Sequence, residues 1–241
     1  MRELTRRYEA GKLLDGQHEI KYLWAQVDKL EPEDWPAGVV PPPKPHDEGA
    51  AGFPDGAGLY RRTGDPLPRF PVGGVMFVGH YTDAVGNRAK WRSGGLSPGE
   101  PPTGKMPTWT RLYEMLDRAG IGREEIFFTN VYVGLVAGSD SRVPFPGKDC
   151  PSFCAWCDAF LDEQIALMRP QAVVTLGQEP ARKFGWPEHA IADAKPRAGV
   201  RFNGAAVMHP SAGGHLNNVK KGSSERWMDH EVRILRQVVG G

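Results

Sequence analysis

Four short polar stretches stand directly after apolar runs: Gly79-His80-Tyr81-Thr82-Asp83, Thr129-Asn130-Val131-Tyr132, Leu176-Gly177-Gln178 and His209-Pro210-Ser211. The residue types suit a planar polar ligand. An asparagine amide offers a donor and an acceptor side by side, so Asn130 can read a ring edge that alternates carbonyl and N–H. A histidine such as His209 can donate to a carbonyl that gains negative charge. An aspartate such as Asp83 can hold a water or face a developing cation. Each type alone is ordinary: an asparagine often caps a turn, and a histidine often sits satisfied in a core. Their shared position behind apolar runs is what singles them out.

Those runs must be strands. GGVMFVG (73–79), IFFTNV (126–131), AVVTL (172–176) and the stretch 205–208 are short, apolar and closed by glycine or polar residues. Between them lie segments of helical period. Leu112, Met115, Leu116 and Ala119 share one face of 107–119. Phe160, Leu161, Ile165 and Met168 share a face of 154–168, and helices are also expected over 179–184 and 223–238. Near-continuous apolar strands alternating with helices predict a three-layer α/β/α sandwich around a central four-stranded parallel sheet. In such a sheet the site lies beyond the C-terminal strand ends, where the four polar stretches fall.

The chain has 241 residues, enough for one α/β domain with an extension. Residues 1–30 read as helical, with Ile20, Leu23, Trp24, Val27 and Leu30 on one face. Residues 31–72 are crowded with proline and glycine and show no period. The expected organisation is thus a helical and Pro/Gly-rich extension, 1–72, packed on a domain spanning 73–241. No apolar stretch approaches the ~18 residues of a membrane helix. The N-terminus carries scattered charges in place of a secretory core. A cytoplasmic monomer is the expectation. The net charge of +1 neither favours nor excludes nucleic acid. Three cysteines, Cys150, Cys154 and Cys157, make an odd set that argues against a disulfide framework.

The stretches LYEMLDRAGIGREEIFFTNVYVGL, CDAFLDEQIALMRPQAVVTLG and VMHPS, in this order and spacing, resemble the bacterial and archaeal branches of the uracil-DNA glycosylase superfamily. The resemblance covers roughly residues 73 to 238. It implies an enzyme that flips a uracil-like or modified pyrimidine out of DNA and hydrolyses its N-glycosidic bond. Residue by residue, Asn130 is similar to the base-reading asparagine, and His209 to the histidine that stabilises the departing base anion. Ser211 is similar to the serine on a DNA phosphate, and Gly79 to the glycine opening the water-activating motif. That motif departs from the family pattern, since Gly-His-Tyr-Thr-Asp-Ala contains no proline. Asp83 is the candidate for water and sugar-cation handling, with Asn87 as the second candidate. His80, Tyr81, Trp91 and Trp109 are candidates for contacting or stacking on the base. The loop after the His-Pro-Ser stretch offers His215 or Leu216 as a wedge, and Asn217, Lys220 and Lys221 for the DNA backbone.

Some branches of the family hold an iron–sulfur cluster on four cysteines. Only Cys157 falls where one of these would, so neither metal nor cofactor is expected. Two further readings stay open at this stage. One is excision of a bulkier modified base, such as those of modified phage DNA. The other is a non-catalytic DNA-binding member of the family.

Overall fold

The computed structural model describes residues 16–42, 70–81, 84–85, 107–138, 144–210 and 224–240. Five helices stand among them: α1 (Gly16–Val27), α2 (Pro107–Ala119), α3 (Pro151–Met168), α4 (Gln178–Phe184) and α5 (Ser224–Val239). The strands are β1 (Val39–Val40), β2 (Val75–Gly79), β3 (Ile126–Asn130), β4 (Leu135–Val136), β5 (Ala172–Leu176), β6 (Ala190–Ala192) and β7 (Asn203–Val207).

The central sheet has the order β3-β2-β5-β7-β6. Its first four strands are parallel, with Gly79 opposite Asn130, Val75 opposite Ala172, and Leu176 opposite Val207. The four expected parallel strands are all present, and a fifth strand extends the sheet beyond them. The fifth, β6, runs antiparallel to β7, with Ile191 opposite Ala205. A tight turn joins the two. Arg197 and Val200 exchange backbone hydrogen bonds across Ala198 and Gly199, both with positive φ (51° and 75°). Two successive left-handed residues match the twist of a two-residue hairpin. The fourth parallel strand begins at Asn203, two residues before the apolar run at 205, and its first residues, Asn and Gly, carry no apolar signal that would mark that start in the sequence.

Side chains of the parallel strands alternate between two apolar layers. Val75 and Phe77 join Ile126, Phe128, Val174, Ala205 and Val207 on the layer covered by α2 and α5. Met76 and Val78 join Phe127 and Val173 on the layer covered by α1 and α3. Every β2 residue is consequently buried, which is why the strand reads as one apolar run. Burying a side chain such as Phe77 contributes about 1.5–3 kcal/mol. Ile20, Leu23, Trp24 and Val27 of α1 belong to the same core as α3. β1 pairs with β4 through Val39–Val136 and Val40–Leu135, so the segment following α1 is tied to the chain just beyond β3. Among the described residues no helix is long and apolar enough to cross a membrane.

The winding has one reversal. α2 carries the chain from β2 outward to β3, α3 carries it back across to β5, and β7 then adds on β5's other side. Connections leave β2 and β5 in opposite directions, and such a switch point opens a crevice at the carboxyl ends of its two strands.

Candidate active site at the strand ends

The two strands flanking the crevice both end in glycine. β2 closes on Gly79, and Gly177 follows β5 directly. The outer strands of the four end in polar groups, Asn130 at the end of β3 and His209 two residues beyond β7. Along the sheet edge the order is therefore Asn130, Gly79, Gly177, His209. The two outer strands are three spacings apart, roughly 14 Å between backbones. Two side chains able to make hydrogen bonds thus flank a floor that bears none.

Both glycines are needed for this arrangement. A β-carbon at Gly79 would lie 2.4 Å from Oδ1 of Asn130, so the asparagine amide lies over the bare backbone. The N–H of Val131 donates to the Gly79 carbonyl (2.9 Å), which ties the chain after Asn130 to the end of β2. Gly177 has φ 87° and ψ −178°, a conformation open essentially to glycine alone. A β-carbon there would stand 3.0 Å from the β-carbon of His209. Its N–H donates to the Val207 carbonyl (2.8 Å), holding β5 and β7 in register up to the site.

His80 and Tyr81 extend β2 on the side of the α1/α3 layer. The His80 ring meets the edges of Tyr81 (4.9 Å between centroids) and Tyr132 (5.6 Å). Phe145 stacks on Tyr81 (5.2 Å) and on Tyr132 (5.0 Å). Lys183 places its ammonium over the Tyr132 ring (5.3 Å) and bonds both oxygens of Asp158 at 3.1 Å. Burial pushes the Tyr132 hydroxyl above its ordinary value, and the nearby Cys154, Asp158 and Glu179 act in the same sense. The Cys157 thiol is pushed up to about 12, mainly by burial. It is the inert thiol of a packed helix and not a reactive one.

Burial also lowers the pKa of His80; Glu179 opposes the shift and Lys148 adds to it. A histidine depressed on folding resists protonation that the unfolded chain accepts. Its contribution is intact above the unfolded value of about 6.5 and is lost as pH falls from there through the lower folded value. Melting temperature should therefore drop on acidification below pH ~6.5, and His80→Gln should flatten that slope. Parallel slopes for the two proteins would show that His80 does not titrate in this way.

The structure thus assembles Gly79, Asn130 and His209 along one sheet edge, with His80 and Tyr81 in the adjoining aromatic cluster. Trp109 lies in α2, with its side chain outside the described residues; Asp83, Asn87, Trp91, Ser211, His215, Leu216, Asn217, Lys220 and Lys221 also lie outside them. Among the described residues no group of three His, Cys, Asp or Glu side chains is arranged to hold a metal ion. Sequence reading passed over Gly177 as a site residue, and with it Tyr132 and Phe145. The signal for Gly177 was present, as a lone glycine closing an apolar strand.

No curated protein matches the chain at a significant level. The family model described as the uracil DNA glycosylase superfamily matches residues 66–233, from just before β2 into α5 and across every strand of the central sheet. That span is more than half of the chain and contains all four strand ends, and the chain belongs to the uracil DNA glycosylase superfamily.

Proposed function

We infer that the protein is a DNA glycosylase that takes a flipped uracil-like or modified pyrimidine and hydrolyses its N-glycosidic bond. One observation carries the reading: the switch-point crevice has a glycine floor between Asn130 and His209. A planar base can lie on bare backbone with its edge toward the Asn130 amide and its O2 toward His209. Cleavage builds negative charge on the base and positive charge on the sugar. His209 donates to the base oxygen as that charge grows. Asp83, or Asn87 in its place, positions water and faces the sugar cation. Ser211 holds a phosphate, with Asn217, Lys220 and Lys221 along the backbone and His215 or Leu216 filling the space the base leaves.

A bulkier modified base is a second reading. The sequence of the first motif favours it, since Gly79-His80-Tyr81-Thr82-Asp83 lacks the proline usual in the family's motif, and a different turn there would suit a differently shaped base. The test is a release assay on single- and double-stranded oligonucleotides carrying uracil, thymine and 5-substituted pyrimidines, read by mass spectrometry of the freed base. Release of at least one of them is expected. Asn130→Asp should change which base is preferred, because an acceptor replaces the amide donor. Tight DNA binding with no release from any substrate would establish the non-catalytic alternative instead.

A further inference from the structure

The residues on either side of His209 are each held through a backbone group by a charged side chain, one from each helix of the α2/α5 layer. The N–H of Met208 donates to Oε2 of Glu231 (3.1 Å), and Arg111 donates through Nη1 to the carbonyl of Pro210 (2.9 Å). Glu231 belongs to α5, is 1% exposed, and stands on that helix's apolar stripe beside Met228, Val232, Leu235 and Val238. A charge is costly there unless it is fully bonded. Its second oxygen accepts from Nδ1 of His189 (3.0 Å). His189 holds a left-handed backbone (φ 54°), and its carbonyl accepts from Nε2 of His230 (3.1 Å), whose Nδ1 accepts in turn from Arg233 (2.8 Å). A buried carboxylate, a strained residue and two histidines are thus spent on one backbone N–H. Charge-assisted hydrogen bonds are about twice as strong as neutral ones, so the pair fixes the chain on both sides of a single residue.

We propose that Glu231 and Arg111 are positioning residues for catalysis, clamping the Met208–Pro210 backbone so that the His209 ring is held toward the base. The proposal rests on the reading of His209 given above. A displacement on the order of 1 Å at a reacting group costs up to roughly 100-fold in rate, which sets the scale of the effect.

The test combines kinetics with the state of the ring. Single-turnover release is measured on a single-stranded oligonucleotide carrying the base that the release assay selects, or uracil if several are released. Glu231→Ala and Arg111→Ala should each lower the rate roughly 10- to 100-fold while DNA affinity changes little. Glu231→Gln retains an acceptor for Met208 and should restore most of the rate, which also covers the case in which the alanine variant folds poorly. In a His209→Ala background, Glu231→Ala should add nothing, since nothing remains to be positioned. In protein with ¹³C-labelled imidazoles, the His209 ring signal, identified by its loss in His209→Ala, should shift or broaden in Glu231→Ala.

Equal losses from Glu231→Ala with and without His209 would overturn the clamp and leave His209's role intact. A His209 signal unchanged in both alanine variants would overturn it even without a usable substrate. Full activity of His209→Ala would instead remove the underlying reading and the clamp with it.

Discussion

Replacing His209 with alanine is expected to lower the rate of base release by roughly 10²- to 10³-fold while the protein stays folded. The residue lies two positions beyond β7 and is only partly buried. Truncation opens the crevice without emptying the core, so stability should change by no more than about 1 kcal/mol. The rate responds because the lost hydrogen bond strengthens only as the base takes on negative charge. An interaction made mainly in the transition state appears in kcat and leaves DNA binding almost untouched. Asn130→Ala should differ in pattern, since an edge-reading amide contacts the bound base before cleavage as well as during it. Its loss should weaken capture of the flipped base together with the chemical step. Melting curves, DNA affinity and single-turnover release on one oligonucleotide separate these effects. An unchanged release rate in His209→Ala would mean that anion stabilisation comes from another group.

The strands legible in the sequence are those whose burial is symmetric. Val75–Gly79, Ile126–Asn130 and Ala172–Leu176 are covered on both faces, so each reads as a continuous apolar run that local pattern exposes. α2 and α3 were legible for the opposite reason: each buries one face, so its apolar residues recur at helical spacing. The edge strand β6 was not. It has three residues, one of them the exposed Ile191, and it exists because the turn at Ala198–Gly199 returns the chain onto β7. β1 and β4 pair across nearly a hundred residues, with two residues apiece, and no local signal marks such a pair.

The candidate site divides along similar lines. Asn130 and His209 stood out by residue type behind apolar runs. That two glycines lie between them required strand order, and strand order is a property of the β3-to-β5 crossover that no local pattern records. Glu231 and Arg111 were hidden more deeply. Each belongs to a helix with many charges, and only contacts 23 and 99 residues away in the chain distinguish them from solvated neighbours. Glu231 did leave one trace. It interrupts the apolar stripe of α5, where a charge without a partner would be destabilising.

Gly177→Ala should damage stability and activity together, and by separable mechanisms. The native φ of 87° with ψ −178° is a region that residues with a β-carbon occupy only under strain, at about 1–3 kcal/mol. In a domain of this size each kcal/mol corresponds to roughly 2–4 °C in melting temperature. Two responses are open to the variant. The backbone can rotate out of that region, which disturbs the start of α4 and the Gly177 N–H bond to Val207. Otherwise it can stay, which presses the new methyl group against the His209 β-carbon from 3.0 Å. Either response moves the end of β7 relative to β5 and displaces His209 from the glycine floor. Base release should therefore fall by on the order of 10-fold or more at temperatures well below melting, beyond anything a small unfolded fraction explains. A variant of comparable instability made away from the site, such as Ile165→Ala in the α3 core, supplies the control. Equal activity per folded molecule in the two variants would show that Gly177 serves the strand-to-helix turn alone. A selective loss in Gly177→Ala would show that the close approach of the two strand ends is part of how His209 is presented.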